Sequence, residues 1–251
     1  MPKKTKILTS LIIIVSLALA VVVAELFSSI ITVGDFAFIS TSQSKVSGYN
    51  IYAVAVQKTT TKNNAQSLAK EIQYKNGAGY IYEKDNIYYI LASAYESEND
   101  AVKVLENLTN QNINGEIIQI SVSDVEINLS LSGKEKIAFN NALNIFKSTF
   151  KSLYDISISL DTNVKSQTEC KLAVSDLKAN LTKVISNYET HFNSKLTQDL
   201  VSLKLKLDEL DKILQSLYED NLTDLTSFSS ILKYSYINVV MLNIDVCNIF
   251  K

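Results

Sequence analysis

The sequence contains an internal repeat of 36 residues, which lies between Tyr49 and Val122. When the chain is shifted by 36 positions, residues 51–55 fall on residues 87–91, and the segments that follow coincide as well. Each copy has a short β-branched and aromatic run, a segment with apolar residues at helical spacing, a glycine and a second short run. Two such copies predict a β-α-β-β-α-β unit of the ferredoxin-like type.

The strands of this unit are predicted to form one antiparallel sheet with both helices on the same face. Alternation along the strands places Val54, Val56, Ile90 and Ala92 under the helices. Asp85-Asn86 is a hairpin turn signal between the two copies. The opposite face is expected to be open and is the natural binding surface. Its predicted residues are Ala53, Ala55, Gln57, Tyr89, Leu91 and Ser93.

An apolar run of 18 residues, residues 7–24, follows Lys3, Lys4 and Lys6 near the N-terminus. Such a run is long enough to cross a bilayer, and the preceding lysines predict a cytoplasmic N-terminus with the rest of the chain outside. We therefore expect a cytoplasmic tip and membrane anchor over residues 1–33 and a linker over residues 34–48. The alternative is a signal peptide cleaved near Ala24.

The composition changes near Gly133, the last of the six glycines. Beyond it there is neither glycine nor proline, and apolar residues recur at spacings of three and four. Ser132 with Glu135, and Ser166 with Glu169, fit the capping box of a helix start. Residues 132–251 are thus predicted to be all-α, as a four-helix bundle or as helical hairpins. The fold class of the whole chain is therefore α+β.

The two cysteines test the predicted order of these helices. Cys170 lies near the start of the second helix and Cys247 near the end of the fourth, and these two helices run parallel in an up-down-up-down bundle. The thiols would then lie at opposite ends, too far apart for a disulfide, which needs Cα atoms within about 7 Å. We predict two free, buried cysteines.

The sequence lacks the motifs of several function classes. His191 is the only histidine, and no cysteine–histidine cluster, glycine-rich phosphate loop or nucleophile elbow is present. The basic residues are all lysines and the net charge is −2, whereas nucleic-acid binders carry arginine-rich basic patches. We therefore expect no catalytic residues, no metal, no cofactor and no nucleic-acid partner.

The repeated unit has a set of features within residues 49–122: Asn64-Ala65, Leu68, Gly77, the run 88–92, Tyr95 and Ala101. With these features it resembles the SPOR domain (sporulation-related repeat) of bacterial cell-envelope proteins. The resemblance implies binding to peptidoglycan glycan strands that have lost their peptides, and recruitment to the division or sporulation septum. It implies that the open sheet face, together with Tyr95, contacts the glycan, and that the helical region contacts other septal proteins.

The sequence departs from the SPOR pattern at four sites. Ala55 replaces a frequent glutamine and Tyr89 a frequent arginine, while 57–59 and 93–94 replace Gly-Ser-Phe and Gly-Pro. Two interpretations stay open. The first is a single-pass, extracytoplasmic protein that binds septal peptidoglycan. The second is an envelope scaffold that binds no glycan and uses the sheet and the helical region as protein–protein interfaces.

Overall fold

A computed structural model describes residues 40–192, 197–219 and 224–251. The predicted membrane anchor, residues 1–33, lies outside these ranges. None of the helices within them is long and apolar enough to cross a membrane. The described residues belong to one compact unit and have the predicted α+β class.

Within these ranges the chain forms six strands and six helices. The strands are β1 (Ser40–Val46), β2 (Tyr49–Thr59), β3 (Tyr80–Lys84), β4 (Ile87–Tyr95), β5 (Glu116–Val122) and β6 (Val125–Leu131). The helices are α1 (Lys62–Tyr74), α2 (Glu98–Asn110), α3 (Gly133–Asp161), α4 (Gln167–Phe192), α5 (Gln198–Glu219) and α6 (Leu225–Ile249).

The predicted β-α-β-β-α-β order is confirmed in the segment from β2 to β5. The four strands form an antiparallel sheet in the order β3-β4-β2-β5. Asp85 and Asn86 join β3 to β4 with φ values of 52° and 60°, as a two-residue hairpin loop requires. Gly79 also has a positive φ, and a Cβ there would lie 2.3 Å from the carbonyl oxygen of Ala69. Only glycine therefore lets the chain pass so close to α1.

A second, two-stranded sheet lies beside the first. Strand β1 pairs antiparallel with β6, from Ser40 opposite Leu131 to Val46 opposite Val125. Residues 40–46 thus form a strand, although they lie within the segment that the sequence predicts to be a linker. The serines and threonine of β1 give no apolar alternation, and the buried apolar residues come mainly from β6, as Val125, Ile127 and Leu131. Pairing with a distant strand therefore decides the structure of this segment.

The helical region is a four-helix bundle. Helix α3 packs on α4 and α6, while α5 packs on α4 and α6. The first predicted capping box is present: Ser132 N–H donates to Glu135 at 2.7 Å, and Glu135 N–H donates to Ser132 Oγ at 3.4 Å. The second is also present, because Ser166 N–H donates to Glu169 at 2.8 Å and Glu169 N–H donates to Ser166 Oγ at 3.3 Å.

The burial of the bundle residues follows the predicted pattern. Cys170 and Cys247 are buried and not bridged to each other, as predicted. Helix α6 is buried on more than one side, as its apolar sequence indicates. Leucines recur at alternating spacings of four and three along α5, and they face the core. Leu196, which belongs to the same series in the sequence, lies outside the described residues. The buried members are Leu200, Leu203, Leu207, Leu210, Leu214 and Leu217.

The bundle and the sheet share one hydrophobic core. Helix α6 crosses β3, β4 and β5, and α3 packs on β1 and β6. The expectation that one sheet face is open is therefore wrong, because α6 covers it. The small side chains of Ala53, Ala55 and Ala94 lie in this shared core. Such small residues let a helix approach the sheet closely and exclude water from both surfaces.

Candidate functional site

The predicted assignment of side chains to the two sheet faces agrees with the packing for most of the residues, but not for all of them. Ile90 packs with Ala65, Ala69 and Ile72 of α1, and Val56 and Ala92 pack on this cluster. Ala53, Ala55 and Leu91 belong to the opposite side, in the core that the sheet shares with the bundle. The alternation holds for these residues, but β-bulges between Val54 and Gln57 interrupt it. Gln57 is paired with Ile90 and Ser93 with Val54. Because paired residues share a sheet face, neither pair fits the predicted assignment. Sequence periodicity did not indicate what covers the second face.

The residues predicted to contact glycan lie in three environments. Ala53, Ala55, Leu91 and Ser93 are buried, with exposed fractions of 0%, 2%, 0% and 6%. Tyr89 is partly buried against the shared core, and Tyr95 meets the ring of Tyr154 edge-on at 6.3 Å. Gln57 is exposed. These residues therefore do not form a continuous accessible surface in this conformation.

Specific polar contacts hold α6 against the repeated unit. The Tyr236 hydroxyl accepts a hydrogen bond from Ala94 N–H at 3.1 Å. Asn243 Nδ2 donates to the Tyr49 hydroxyl at 3.1 Å, and Ser230 Oγ donates to the carbonyl oxygen of Gly77 at 2.7 Å. Because each of these bonds fixes a position along α6, the helix has one defined register on the sheet.

An aromatic cluster fills the junction between α3, α6 and β2. The Tyr49 ring stacks on Phe150 with centroids 5.7 Å apart, and Tyr236 packs edge-on against Phe150 and Tyr154 at 6.2 and 5.8 Å. Burial raises the pKa of Tyr49 to about 12 and raises the pKa of Tyr236 far above its usual range. Both phenols therefore stay neutral at physiological pH, and both act as packing residues.

Lys233 forms a polar network near the same junction. Its Nζ lies 2.8 Å from a carboxylate oxygen of Asp161 and donates to the carbonyl oxygen of Asn76 at 3.0 Å and to Ser229 Oγ at 2.9 Å. Ser229 Oγ donates to the other Asp161 oxygen at 2.6 Å. Each polar group in this network has a partner, so its role is to join α3, α6 and the α1–β3 loop.

An accessible site lies outside the covered sheet face, where α1, β3, α5 and α6 meet. It consists of two adjoining depressions with volumes of about 380 and 490 Å³. Gln73 and Tyr234 line both of them, and we call the whole the tyrosine groove. The other residues that line it are Gln66, Ala69, Lys70, Gly79, Tyr80, Ile81, Glu209, Lys212, Ile213, Ser216, Ile231, Ser235 and Asn238.

The tyrosine groove is built from single faces of three helices. On α5, for example, the lining residues that follow Glu209 come three, four and seven positions later, at Lys212, Ile213 and Ser216. This spacing places them on one side of the helix, which faces the groove. Helices α1 and α6 contribute residues at the same spacing. The groove thus exists only because the bundle docks on the repeated unit, and neither part would form it alone.

Two tyrosines and three side-chain amides give the groove its chemistry. The rings of Tyr80 and Tyr234 are 5.1 Å apart and inclined by 47°. Tyr234 keeps 38% of its surface exposed, whereas burial raises the pKa of Tyr80 to about 12. Gln73 Nε2 donates to the carbonyl oxygen of Ala78 at 3.3 Å, which orients that amide. An exposed ring beside side-chain amides, one of them oriented, can bind a ligand that is apolar on one face and polar at its edges.

Sequence reasoning missed this groove. It joins residues 66–81 to residues 209–238, and no periodicity links such distant segments. The available signal was Tyr234, which is an exposed aromatic residue within the most apolar helix of the chain. Among the described residues, no group of three or more His, Cys, Asp or Glu side chains could hold a metal ion.

No family model matches the chain, and no curated protein matches it. Among solved structures, the peptidoglycan binding domain of the B. subtilis cell wall lytic enzyme CwlC matches with 25% sequence identity. The match covers 31% of this chain and 98% of that domain, with a TM-score of 0.26. A structural likeness at that score does not assign a function to this chain.

Proposed function

We propose that this chain is a non-catalytic protein of the bacterial cell envelope that binds denuded peptidoglycan glycan at a surface outside its covered sheet face. The observation that carries the proposal is where the SPOR-like residues lie. Asn64, Ala65 and Leu68 are on α1, Gly77 is in the α1–β3 loop, and Ala101 is on α2. The run 88–92 lies in β4. These residues thus lie in order along the β-α-β-β-α-β unit, and this arrangement supports the proposal.

The cellular setting belongs to the same proposal. An anchor at residues 1–33 would hold the described unit outside the membrane, within reach of the wall. Recruitment to the division or sporulation septum would follow from affinity for glycan strands that have lost their peptides. The outward faces of the bundle would be left to contact septal proteins.

A second candidate is the envelope scaffold that binds no glycan. The burial of Ala53, Ala55 and Leu91 under α6 favours it, because this face is an intramolecular interface in the folded chain. In this alternative the SPOR-like unit keeps its fold and serves as the base on which the bundle docks. A shared fold can carry different functions, so the fold does not separate the two candidates. They differ in whether the chain binds glycan.

Cosedimentation with purified cell-wall sacculi separates the two candidates. The full-length chain should be mixed with amidase-treated sacculi, whose glycan strands lack peptides, and with intact sacculi as the matched control. Glycan binding predicts enrichment on the amidase-treated material, whereas equal recovery on both materials would support the scaffold. The whole chain is required because the repeated unit shares its core with the bundle, so an isolated unit would expose apolar surface.

The position of the protein in living cells gives an independent readout. A fluorescent fusion of the full-length chain should gather at division sites if its ligand is septal denuded glycan. A uniform signal around the cell periphery, together with equal recovery on both sacculus preparations, would contradict the glycan proposal.

A further inference from the structure

We infer that the tyrosine groove is the glycan-binding site of this chain and that it holds a short stretch of denuded strand. This inference rests on the proposed function, since it names the surface that binds the glycan. With volumes of about 380 and 490 Å³, both depressions lie in the range of about 300–1,000 Å³ that is typical of small-ligand sites. Because they adjoin at Gln73 and Tyr234, they can take consecutive sugars of one strand.

The exposed ring of Tyr234 provides the stacking surface. A pyranose ring has an apolar face of C–H groups, and an aromatic ring is its natural partner. Tyr234 lines both depressions, and its neighbour Tyr80 supports it from the β3 side. The Tyr80 ring is partly buried against the core and is held by strand β3, so Tyr234 has a packed ring beside it.

Three amides provide the hydrogen bonds. Gln66 and Gln73 project from α1, and Asn238 projects from α6. A side-chain amide both donates and accepts, so it can pair with the hydroxyl and acetamido groups of amino sugars. The Gln73 amide is already oriented by its hydrogen bond to the Ala78 carbonyl. The same bond also fixes the position of its Oε1 atom, which can accept a hydrogen bond. Pre-orientation of this kind lowers the entropic cost of binding.

The charges of the groove suit a denuded strand. Removal of the peptides leaves a carboxylate on each muramic acid, and Lys70 and Lys212 line the two depressions. Glu209 lies near Lys212, but its Oε2 is 3.1 Å from Lys206 Nζ, which offsets its negative charge. Both depressions therefore present a lysine to an anionic polymer. The attraction should weaken as salt is added, because exposed charges are screened.

The test is a binding titration of the full-length chain with soluble denuded glycan fragments. Tyr234→Ala should weaken binding about tenfold through loss of the stacking surface. Tyr218→Ala is the matched control, because Tyr218 is 50% exposed on α5 and lies outside the groove. Tyr234→Phe keeps the ring and should bind within about twofold of the natural chain. Circular dichroism of each variant checks that the fold is retained.

A charge variant tests the assignment of the tyrosine groove as the glycan-binding site if Tyr234→Ala fails to fold. Lys70→Gln should lower affinity about threefold and reduce the salt dependence of binding. Lys62→Gln is its control, since Lys62 is exposed on the same helix outside the groove. If the natural chain does not bind denuded glycan, the proposed function fails and the site fails with it. If the natural chain binds and the groove variants match their controls, only the groove assignment is overturned.

Discussion

The two faces of the main sheet are covered in different ways. On one face, α1 and α2 pack through small residues such as Ala65, Ala69 and Ala101. On the other, α6 and α3 bring large aromatic rings and hydrogen bonds from distant residues: Phe150 stacks on Tyr49, 101 positions away, and Tyr236 bonds to Ala94, 142 positions away. The first face is therefore a product of the repeat itself, while the second depends on a distant part of the chain. This difference has consequences for stability, for folding and for where a ligand can bind.

The largest expected effect compares one residue from each face. Phe150→Ala should lower the free energy of unfolding by about 3–5 kcal/mol, because a fully buried ring leaves a cavity in the shared core. Ile72→Ala should cost only about 2 kcal/mol, since Ile72 belongs to a smaller cluster and is 8% exposed. Urea denaturation of the full-length chain measures both values.

The same experiment can contradict this ranking of the two faces. The shared core predicts a single transition in which probes of the sheet and of the bundle coincide. If the two probes unfolded separately, or if Ile72→Ala cost as much as Phe150→Ala, the bundle face would not be the dominant support of the sheet.

The part of the fold that the sequence predicted is the part determined by local pattern. The 36-residue repeat specified β2 to β5 and the two intervening helices, and the Asp85-Asn86 turn fixed their hairpin. The capping boxes at Ser132 and Ser166 marked the starts of α3 and α4. Each of these signals lies within a few residues of the structure that it specifies, so periodicity and turn chemistry suffice.

The docking of the bundle on the sheet could not be predicted in the same way. The apolar alternation at Ala53, Ala55 and Leu91 is compatible with an open binding face and with a buried interface. It does not indicate which element packs on that face, and in the structure the face is buried in the shared core. The tyrosine groove follows from that docking, so it was missed together with it. Strand β1 was missed for the same reason, since its pairing partner β6 is about 85 residues away in the chain.

Alkaline pH should destabilise the bundle face selectively. Burial raises the pKa of Tyr49 from 10.0 to about 12 in the folded chain, so the folded state holds the phenol proton more tightly than the unfolded state does. The contribution of neutral Tyr49 to the free energy of unfolding is fully present below pH 10 and is lost as the pH rises toward 12. The free energy of unfolding should fall by on the order of 2 kcal/mol over this window from Tyr49 alone.

Urea denaturation below and above this window measures that loss. Tyr49→Phe should show a smaller fall than the natural chain, because the replacement ring does not ionise. An equal fall in both proteins would mean that Tyr49 ionises in the folded state as readily as in the unfolded state.

The hydrogen bond from Ala94 to Tyr236 joins the two regions directly. Tyr236→Phe keeps the ring but removes the acceptor of a buried N–H, which should cost about 1–2 kcal/mol. Tyr218→Phe is the control at a half-exposed position and should stay within about 0.5 kcal/mol of the natural chain. Equal stability of the two variants would show that packing alone, without this bond, sets the register of α6.

The smallest expected effect concerns how helices begin in the two regions. Ser132 caps α3 through a reciprocal bond pair with Glu135, whereas Ser97 at the start of α2 makes no capping hydrogen bond with its side chain. Ser132→Ala should therefore cost about 1 kcal/mol, and Ser97→Ala close to nothing. Thermal unfolding of both variants measures the difference.

A helix that packs on its own repeat can begin without a cap, because the sheet holds it in place. Helix α3 has no neighbouring repeat to position its start, so loss of its cap should lower the stability of the protein. Equal costs at the two serines would mean that sheet packing does not compensate for a missing cap, and that the two regions hold their helices in the same way.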